Sequence, residues 1–461
     1  MATHLCAQAP TDTVPGSPFV VVESVLIEGN RRTLPHIITR ELTLRPGDTI
    51  AVRRLEKVLQ RQRNQVFNTR LFVTVDVVLD APLPPDSMPA YVRRGVRVIV
   101  EERWYIFPSV IFELADRNFN EWWTQRGRDL SRTNYGLRVS WRNVRGRNER
   151  LKFKLQGGFT QKYELRYEIP YLNRRQRAGG GVLFQYITQK NVAFALENNQ
   201  LQFLDGEEEL TSRLQAGLTY RRREGLFATH EVGLAYFRTE VADTIAALNP
   251  DYFLRGRTLQ RYTQMTYHFE WDRRDVQAYP LRGFVLMTEA SLEGILPSDN
   301  LRRLTLNGTY ARHVPLGRQF YAAGQVGGGV TIGNRQPFYN NRALGYGRRL
   351  IRGYELFVVN GRHYGLLKGE VRKRLFSVKR ELNFIPIRQF RTFPLSIYVK
   401  TYGDVGFVRD SSLDNPLVNR TLGGGGIGID VVTFYDVVFR TEFSVNDLGD
   451  TGLFVAFKAG I

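Results

Sequence analysis

The chain has 461 residues, and its 65 Lys and Arg against 45 Asp and Glu give a formal net charge of +20. Aromatic residues make up 12% of the chain, which excludes a disordered protein, and no apolar run approaches the roughly 18 residues that a membrane helix needs. The single cysteine, Cys6, excludes a disulfide framework and a cysteine-based zinc site.

Residues 1–18 show no pattern of a helix or strand. Ala7-Gln8-Ala9 fits the small-residue cleavage site of a secretory signal, although no apolar stretch precedes it. We therefore expect an N-terminal tail, either the remnant of a signal peptide or an irregular segment.

Residues 19–103 predict a small α/β domain. Residues 19–27 form an apolar, β-branched run that Gly29-Asn30 closes with a turn, and Thr33 is placed to cap the helix that follows. The other predicted elements are helices over 34–43 and from Val52, with apolar residues at helical spacing, and strands over 71–79 and 96–100. The predicted order is therefore β-α-α-β-β.

Residues 104–461 alternate apolar with polar side chains in short segments separated by Gly, Asn and Pro. Near the C-terminus, Phe439 and Phe443 fall on one face of such a segment, and Arg440 and Glu442 fall on the other. There are about sixteen segments, and aromatic residues near their ends fit the interfacial girdles of membrane barrels. The pattern predicts a transmembrane β-barrel of about sixteen antiparallel strands, with apolar side chains facing lipid.

The basic residues are spread over alternating strand positions and form no recognition motif for nucleic acid. A basic lumen and basic rims that face anionic lipid headgroups explain the charge better. We therefore expect outer-membrane lipids as partners and no nucleic acid.

Several motifs resemble those of the BamA-like superfamily of outer-membrane assembly and translocation proteins. Residues 25–30, Gly47-Asp48 and 98–102 look like parts of a POTRA domain, and Leu350-Ile351-Arg352-Gly353-Tyr354 is similar to the superfamily's Val-Arg-Gly-Phe/Tyr loop motif. The other matching residues are Asp272, Arg274, Asp275, Pro280, Gly283, Gly406 and the glycine-rich run 423–428. The resemblance covers nearly the whole chain from Phe19 and implies one POTRA domain followed by a sixteen-stranded barrel.

The resemblance also implies the function. A bacterial outer-membrane barrel with its POTRA domain in the periplasm would insert or translocate proteins, with clients adding to exposed strand edges at 71–79 or 19–27, and with accessory lipoproteins as further partners. It implies no cofactor, metal or catalytic residue. The alternatives are a specialised transport pore, a porin-like channel and a barrel enzyme.

Residues 333–362 lack a strand pattern. A loop of this length is long for a barrel connection, which marks it as functional or disordered. Glu370 and Asp404 lie on the polar faces of the next two strands, among many cations. The resemblance implies that this loop folds into the lumen and that Arg352 contacts one or both carboxylates. The residues alone favour a surface arginine in a mobile loop, with Glu370 and Asp404 only balancing the luminal Lys and Arg.

His268, Glu270 and Asp272 share one strand face and form either an acid–base cluster or a luminal hydrogen-bond network. The six histidines show no metal-ligand spacing. The run from Gly423 lacks the lysine of a phosphate-binding loop, so we expect it to let a strand bend or to let bulky groups approach its backbone.

Overall fold

The computed structural model describes residues 18–84, 89–114, 133–173, 175–347, 349–411 and 415–458. The predicted N-terminal tail, apart from Pro18, lies outside these residues. The chain divides into two compact units, Met1–Glu102 and Arg103–Ile461. Arg103 belongs to the second unit, where its guanidinium Nη1 donates to Asp436 at 3.0 Å.

The first unit is an α/β domain with a four-stranded sheet in the order β2-β1-β4-β3. Strands β1 and β4 run parallel, and the other neighbours are antiparallel. The elements are β1 (Phe19–Glu28), α1 (Pro35–Thr39), β2 (Thr49–Ala51), α2 (Val52–Phe67), β3 (Phe72–Leu79) and β4 (Tyr91–Glu102). Leu55 and Val66 of α2 are buried, as are Val20 and Val75 of the sheet, so one face of each contributes to the core.

Three details of the predicted domain are wrong. Helix α1 ends at Thr39, and its N-cap is Leu34 rather than Thr33, whose backbone N donates to Glu102 Oε1 at 2.6 Å. The short strand β2 was not predicted. It pairs with the first residues of β1, so the predicted edge at 19–27 is covered as far as Val21, whereas β3 lies at the edge of the sheet.

The second unit is a sixteen-stranded antiparallel sheet with β5 and β22 at the two ends of its order, and the predicted barrel fold is confirmed. Its strands are β5 (Ile106–Leu114), β6 (Thr133–Arg142), β7 (Arg150–Gly158), β8 (Thr160–Ile169), β9 (Ala178–Gln189), β12 (Thr211–Glu224), β13 (Ala228–Val241), β14 (Leu259–Asp272), β15 (Gly283–Glu293), β16 (Arg303–Gly317), β17 (Phe320–Gly333), β18 (His363–Glu381), β19 (Thr392–Arg409), β20 (Thr421–Val432), β21 (Val438–Asn446) and β22 (Thr451–Lys458). A separate hairpin, β10 (Asn191–Glu197) and β11 (Gln200–Asp205), lies between β9 and β12, and helix α3 (Asp243–Leu248) follows β13.

The alternating residues of β21 show which face of the barrel is apolar. Phe439 and Phe443 are 47% and 49% exposed, whereas Glu442 and Ser444 are 6% and 0% exposed. Apolar side chains therefore face outward and polar ones face the lumen, as a lipid-embedded barrel requires.

Among the described residues, no helix is both long and apolar enough to cross a membrane.

Three connections at one end of the barrel pack together. The β10–β11 hairpin, the segment around α3 and the loop between β17 and β18 share a buried cluster that includes Val192, Ile245 and Tyr252, with Phe338 and Tyr339 packed against it. Backbone hydrogen bonds also join them: Phe338 N donates to Asp251 O at 3.0 Å, and Val358 N donates to Asn199 O at 2.8 Å. Neighbouring connections therefore hold the long loop both near its start and near its end.

Candidate functional site in the barrel lumen

The second half of the long loop packs into the barrel on its own apolar core. Ile351 and Tyr354 are buried with Leu344, Val408 and Leu422, which belong to the loop and to the walls formed by β19 and β20. Ile351 and Tyr354, which flank Arg352 and Gly353, therefore point into this core and fix the path of the two residues between them.

Glycines allow this close approach. A Cβ on Gly424 of β20 would lie 1.9 Å from the carbonyl oxygen of Arg352, and a Cβ on Gly406 of β19 would lie 2.3 Å from Ile351 Cδ1. Gly353 has a φ of +97°, a left-handed conformation that other residues adopt at a cost. The glycine-rich strand thus lets the loop backbone lie directly against the wall, as expected from the sequence.

Arg352 donates to two carboxylates on neighbouring strands. Its backbone N and its Nε donate to Asp404 Oδ2 at 3.0 and 2.9 Å, and its Nη2 donates to Asp404 Oδ1 at 2.6 Å. Its Nη1 donates to Glu370 Oε2 at 3.0 Å. The guanidinium also lies over the ring of Tyr402, with Cζ 4.0 Å from the ring centroid. This forked geometry is the strong form of a charge-assisted hydrogen bond.

The pair is shielded from solvent. The side chain of Arg352 is 11% exposed and that of Asp404 is fully buried. The two carboxylates that Arg352 contacts are those that the sequence analysis names. Their role in function stays a prediction.

The site extends over four strands as a network of alternating charges. Lys400 Nζ lies 2.8 Å from Asp430 Oδ1 and 2.7 Å from Glu442 Oε1, and Glu442 in turn lies 3.6 Å from Arg352 Nη1. The members are the cations Arg352, Lys368, Arg372, Lys400 and Arg440 and the anions Glu370, Asp404, Asp430 and Glu442. Each cation therefore has a nearby carboxylate.

The sequence analysis did not assign Asp430 or Glu442 to the site. The available signal was their position on the polar faces of β20 and β21, the two strands that follow Asp404 in the sheet. Asp430 also follows the glycine-rich run, where small residues leave room for Lys400: a Cβ on Gly428 would lie 3.0 Å from Lys400 Cε.

The matching residues between Asp272 and Gly283, here called the turn motif, shape the turn between β14 and β15. Arg274 donates from Nε and Nη2 to Asp272 at 2.8 and 2.6 Å. Asp275 Oδ1 accepts from the backbone N of Leu281 at 3.0 Å and from two further amides. Gly283 has a φ of +97°, and a Cβ there would lie 2.1 Å from Arg273 O. These motif residues therefore fold the turn.

The same turn sends Tyr279 to the charge network. Its hydroxyl donates to Asp430 Oδ2 at 2.9 Å, and its ring lies under Arg372, whose Cζ is 4.6 Å from the ring centroid. Arg372 Nη1 donates to the carbonyl oxygen of Pro280 at 3.2 Å. Burial raises the pKa of Tyr279 above its ordinary value, so its hydroxyl stays a donor at neutral pH. The sequence analysis missed Tyr279, although it directly precedes the motif residue Pro280.

Comparisons with known proteins identify the families of the two units. The Omp85 superfamily domain matches residues 143–369, and the POTRA family, described as a surface antigen variable number repeat, matches residues 20–102. The chain belongs to the Omp85 superfamily.

Among solved structures, this Omp85 protein is similar to BamA from Haemophilus ducreyi lacking POTRA domains 1–3, with a TM-score of 0.53, 12% identity, and 95% of this chain and 84% of that chain covered. It is also similar to CdiB from Escherichia coli, with a TM-score of 0.50, 10% identity, and 98% and 92% covered. At these identities the likeness shows the fold alone. A comparison with curated proteins finds no match.

Membership of the superfamily places the barrel in the bacterial outer membrane and the POTRA domain in the periplasm. Strand β5 follows the POTRA domain along the chain, so it starts on the periplasmic side. Because the strands are antiparallel neighbours, the β14–β15 turn is then periplasmic and the β17–β18 loop is extracellular. Arg352 and Tyr279 therefore reach the network from opposite ends of this Omp85 barrel.

The predicted cluster of His268, Glu270 and Asp272 does not converge. His268 Nε2 lies 3.9 Å from Glu270 Oε2, whereas Asp272 is held by Arg274 in the turn. Within the part of the chain that the structure describes, no group of three His, Cys, Asp or Glu is placed to hold a metal ion.

Proposed function

We propose that this protein inserts or translocates polypeptides at the outer membrane and that Arg352 acts as a latch for the extracellular loop in the lumen. The observation that carries the proposal is the forked bonding of Arg352 to Asp404 and Glu370. Membership of the Omp85 superfamily supports the class of function. Insertion or translocation needs no covalent chemistry, so the proposal assigns no catalytic residue and no cofactor.

The latch would keep the loop seated against β18 to β21 while the polypeptide is handled. Ile351 supplies the apolar anchor beside Gly406, and Gly353 supplies the turn. Tyr354 fixes the far side of the motif, because its hydroxyl donates to Asp447 in the β21–β22 connection. With both sides of Arg352 fixed, the guanidinium reaches the two carboxylates at little further entropic cost.

The POTRA domain would receive the client. Strand β3 is an edge of its sheet, and past Val21 the outer edge of β1 extends beyond its pairing with β2. An extended polypeptide could add to either edge through main-chain hydrogen bonds, with Val78 on β3 and Leu26 on β1 as exposed apolar contacts. We also propose membrane lipids as partners of the outward apolar faces, and accessory lipoproteins as further partners.

The test compares variants of the native gene in the native host. The gene is replaced by one encoding Arg352→Ala, by one lacking residues 19–102, and by a control encoding Arg318→Ala in the exposed β16–β17 turn. The outer-membrane and secreted proteins are then quantified by mass spectrometry. We expect the first two variants to deplete particular barrel or secreted proteins at unchanged levels of this protein, and the control to deplete none. Unchanged protein profiles in all three strains would refute the proposal.

A further inference from the structure

A second polar cavity lies in the lumen, between the long loop and the wall formed by β14 to β17. Its volume is about 240 Å³. Arg342, Arg349 and Arg362 line it from the loop, and Glu289, Glu293 and Arg303 line it from the wall. In the network around Arg352 each cation has a nearby carboxylate, whereas the arginines of this cavity outnumber its two carboxylates by two.

Three of its four arginines have no carboxylate partner among the residues that the structure describes. Arg303 is paired with Glu293, and Glu289 accepts a hydrogen bond from Asn307 Nδ2 at 3.3 Å. In the described part of the chain, no ion pair joins Arg342, Arg349 or Arg362 to an acid within 4.0 Å. Four guanidiniums and two carboxylates leave a local excess of two positive charges.

Aromatic rings and a backbone oxygen hold two of these guanidiniums, those of Arg342 and Arg349, in place. Arg349 Cζ lies 4.9 Å from the ring centroid of Tyr364, and its Nη1 donates to Arg342 O at 3.3 Å. Arg342 Cζ lies 5.1 Å from the centroid of the Tyr339 ring. These contacts bring no negative charge, so they orient the cations and leave the excess uncompensated.

We propose that this cavity binds a phosphate group, either as free inorganic phosphate or as the headgroup phosphate of a lipid. Guanidinium forks match the oxygen geometry of phosphate, and a doubly charged anion would cancel the local excess. The volume is below the roughly 300–1,000 Å³ of sites for drug-sized ligands, which suits a phosphate and excludes a whole lipid. The bound anion would join loop arginines to the wall. This binding goes beyond the proposed function and does not depend on it.

The test is calorimetric titration of the purified full-length protein in a phosphate-free, low-chloride detergent buffer. Inorganic phosphate and short-chain phosphatidic acid below its micellar concentration are the two probes. We expect one saturable site that Arg349→Gln/Arg362→Gln weakens by about tenfold or more, the range of lost charge-assisted hydrogen bonds. Tighter binding of phosphatidic acid would assign a lipid headgroup, and equal or tighter binding of phosphate would assign the free anion.

The matched control is Arg257→Gln/Arg318→Gln, which removes two exposed arginines outside the cavity and should leave the affinity unchanged. Glu289→Gln gives a test of opposite sign, because removing the carboxylate should tighten binding. If the double variant does not fold, as judged by its heat-dependent gel mobility, the affinity of Glu289→Gln for the two probes tests the proposal. Absence of saturable binding for both probes would overturn the proposal. So would an affinity that neither cavity variant changes.

Discussion

Tyr279 donates a 2.9 Å hydrogen bond to Asp430, and this bond joins a periplasmic turn to the network that holds an extracellular loop. From Asp430 the contacts pass through Lys400 and Glu442 to Arg352. They return through Glu370 and Arg372 to the ring of Tyr279. The loop motif and the turn motif are therefore two parts of one luminal structure.

Tyr279→Phe should destabilise the barrel modestly. The variant keeps the ring under Arg372 and removes only the donor to Asp430, and a hydrogen bond to a charged group contributes about 1.5–3 kcal/mol. The midpoint of heat-dependent gel mobility in detergent would measure the loss. Tyr163→Phe, at an exposed outward position, is the control and should change stability by no more than about 0.5 kcal/mol. Equal midpoints for the two variants would contradict a structural role for the Tyr279 hydroxyl.

Arg352→Ala should release the long loop. Removing one partner of a buried ion pair costs about 3–5 kcal/mol, and luminal water should reduce that figure here. We expect faster proteolysis within 334–362 in Arg352→Ala and partial protection in Arg352→Lys, because an ammonium cannot fork across two carboxylates. Arg318→Ala serves as the control. A digestion pattern identical to that of the native protein would show that the latch does not hold the loop.

Gly424→Ala should displace the Arg352 backbone. The added Cβ would lie 1.9 Å from Arg352 O, whereas a Cβ on the adjacent Gly423 meets nothing within 4 Å. We therefore expect Gly424→Ala to reproduce the protease sensitivity of Arg352→Ala, and Gly423→Ala to behave like the native protein. Similar digestion of the two alanine variants would indicate that the close approach does not position the loop.

Acidification should loosen the contact between the motif and the β21–β22 connection. Burial alone would raise the pKa of Asp447, but hydrogen bonds from Tyr354 and the Gly423 amide lower it below its ordinary value. A carboxyl with a lowered folded-state pKa stabilises the fold above its unfolded pKa of about 3.9, and this stabilisation is lost as the pH falls through the folded-state pKa.

Limited proteolysis from about pH 5 to about pH 3, which spans the ordinary carboxyl pKa of about 4, would measure this loss. We expect digestion of the loop to increase on acidification. Asp447→Asn should digest faster than the native protein at pH 5 and should respond less to acid. Asp243→Asn in helix α3 is the control and should keep the native response. If Asp447→Asn responds to acid as strongly as the native protein, the increase in loop digestion comes from other carboxylates.

The strands and the two candidate carboxylates could be predicted from local pattern. A period of two places Phe439 and Phe443 on one face wherever the strand lies, and the same period places Glu370 and Asp404 on the polar faces of neighbouring strands. The domain order and the loop at 333–362 also follow from pattern and turn residues. The motif that marks Arg352 came from the resemblance to other proteins, since a single Arg-Gly-Tyr carries little information by itself.

The sequence by itself determined the alternation, the approximate strand number and the glycines that permit close approach. Only the tertiary structure decided that Asp272 binds Arg274 rather than His268, that β1 lies inside its sheet, and that Tyr279 meets Asp430. The reason is physical. Alternation is a local pattern that neighbouring residues determine, whereas contacts between residues 151 positions apart depend on strand register and on how far each loop folds into the lumen.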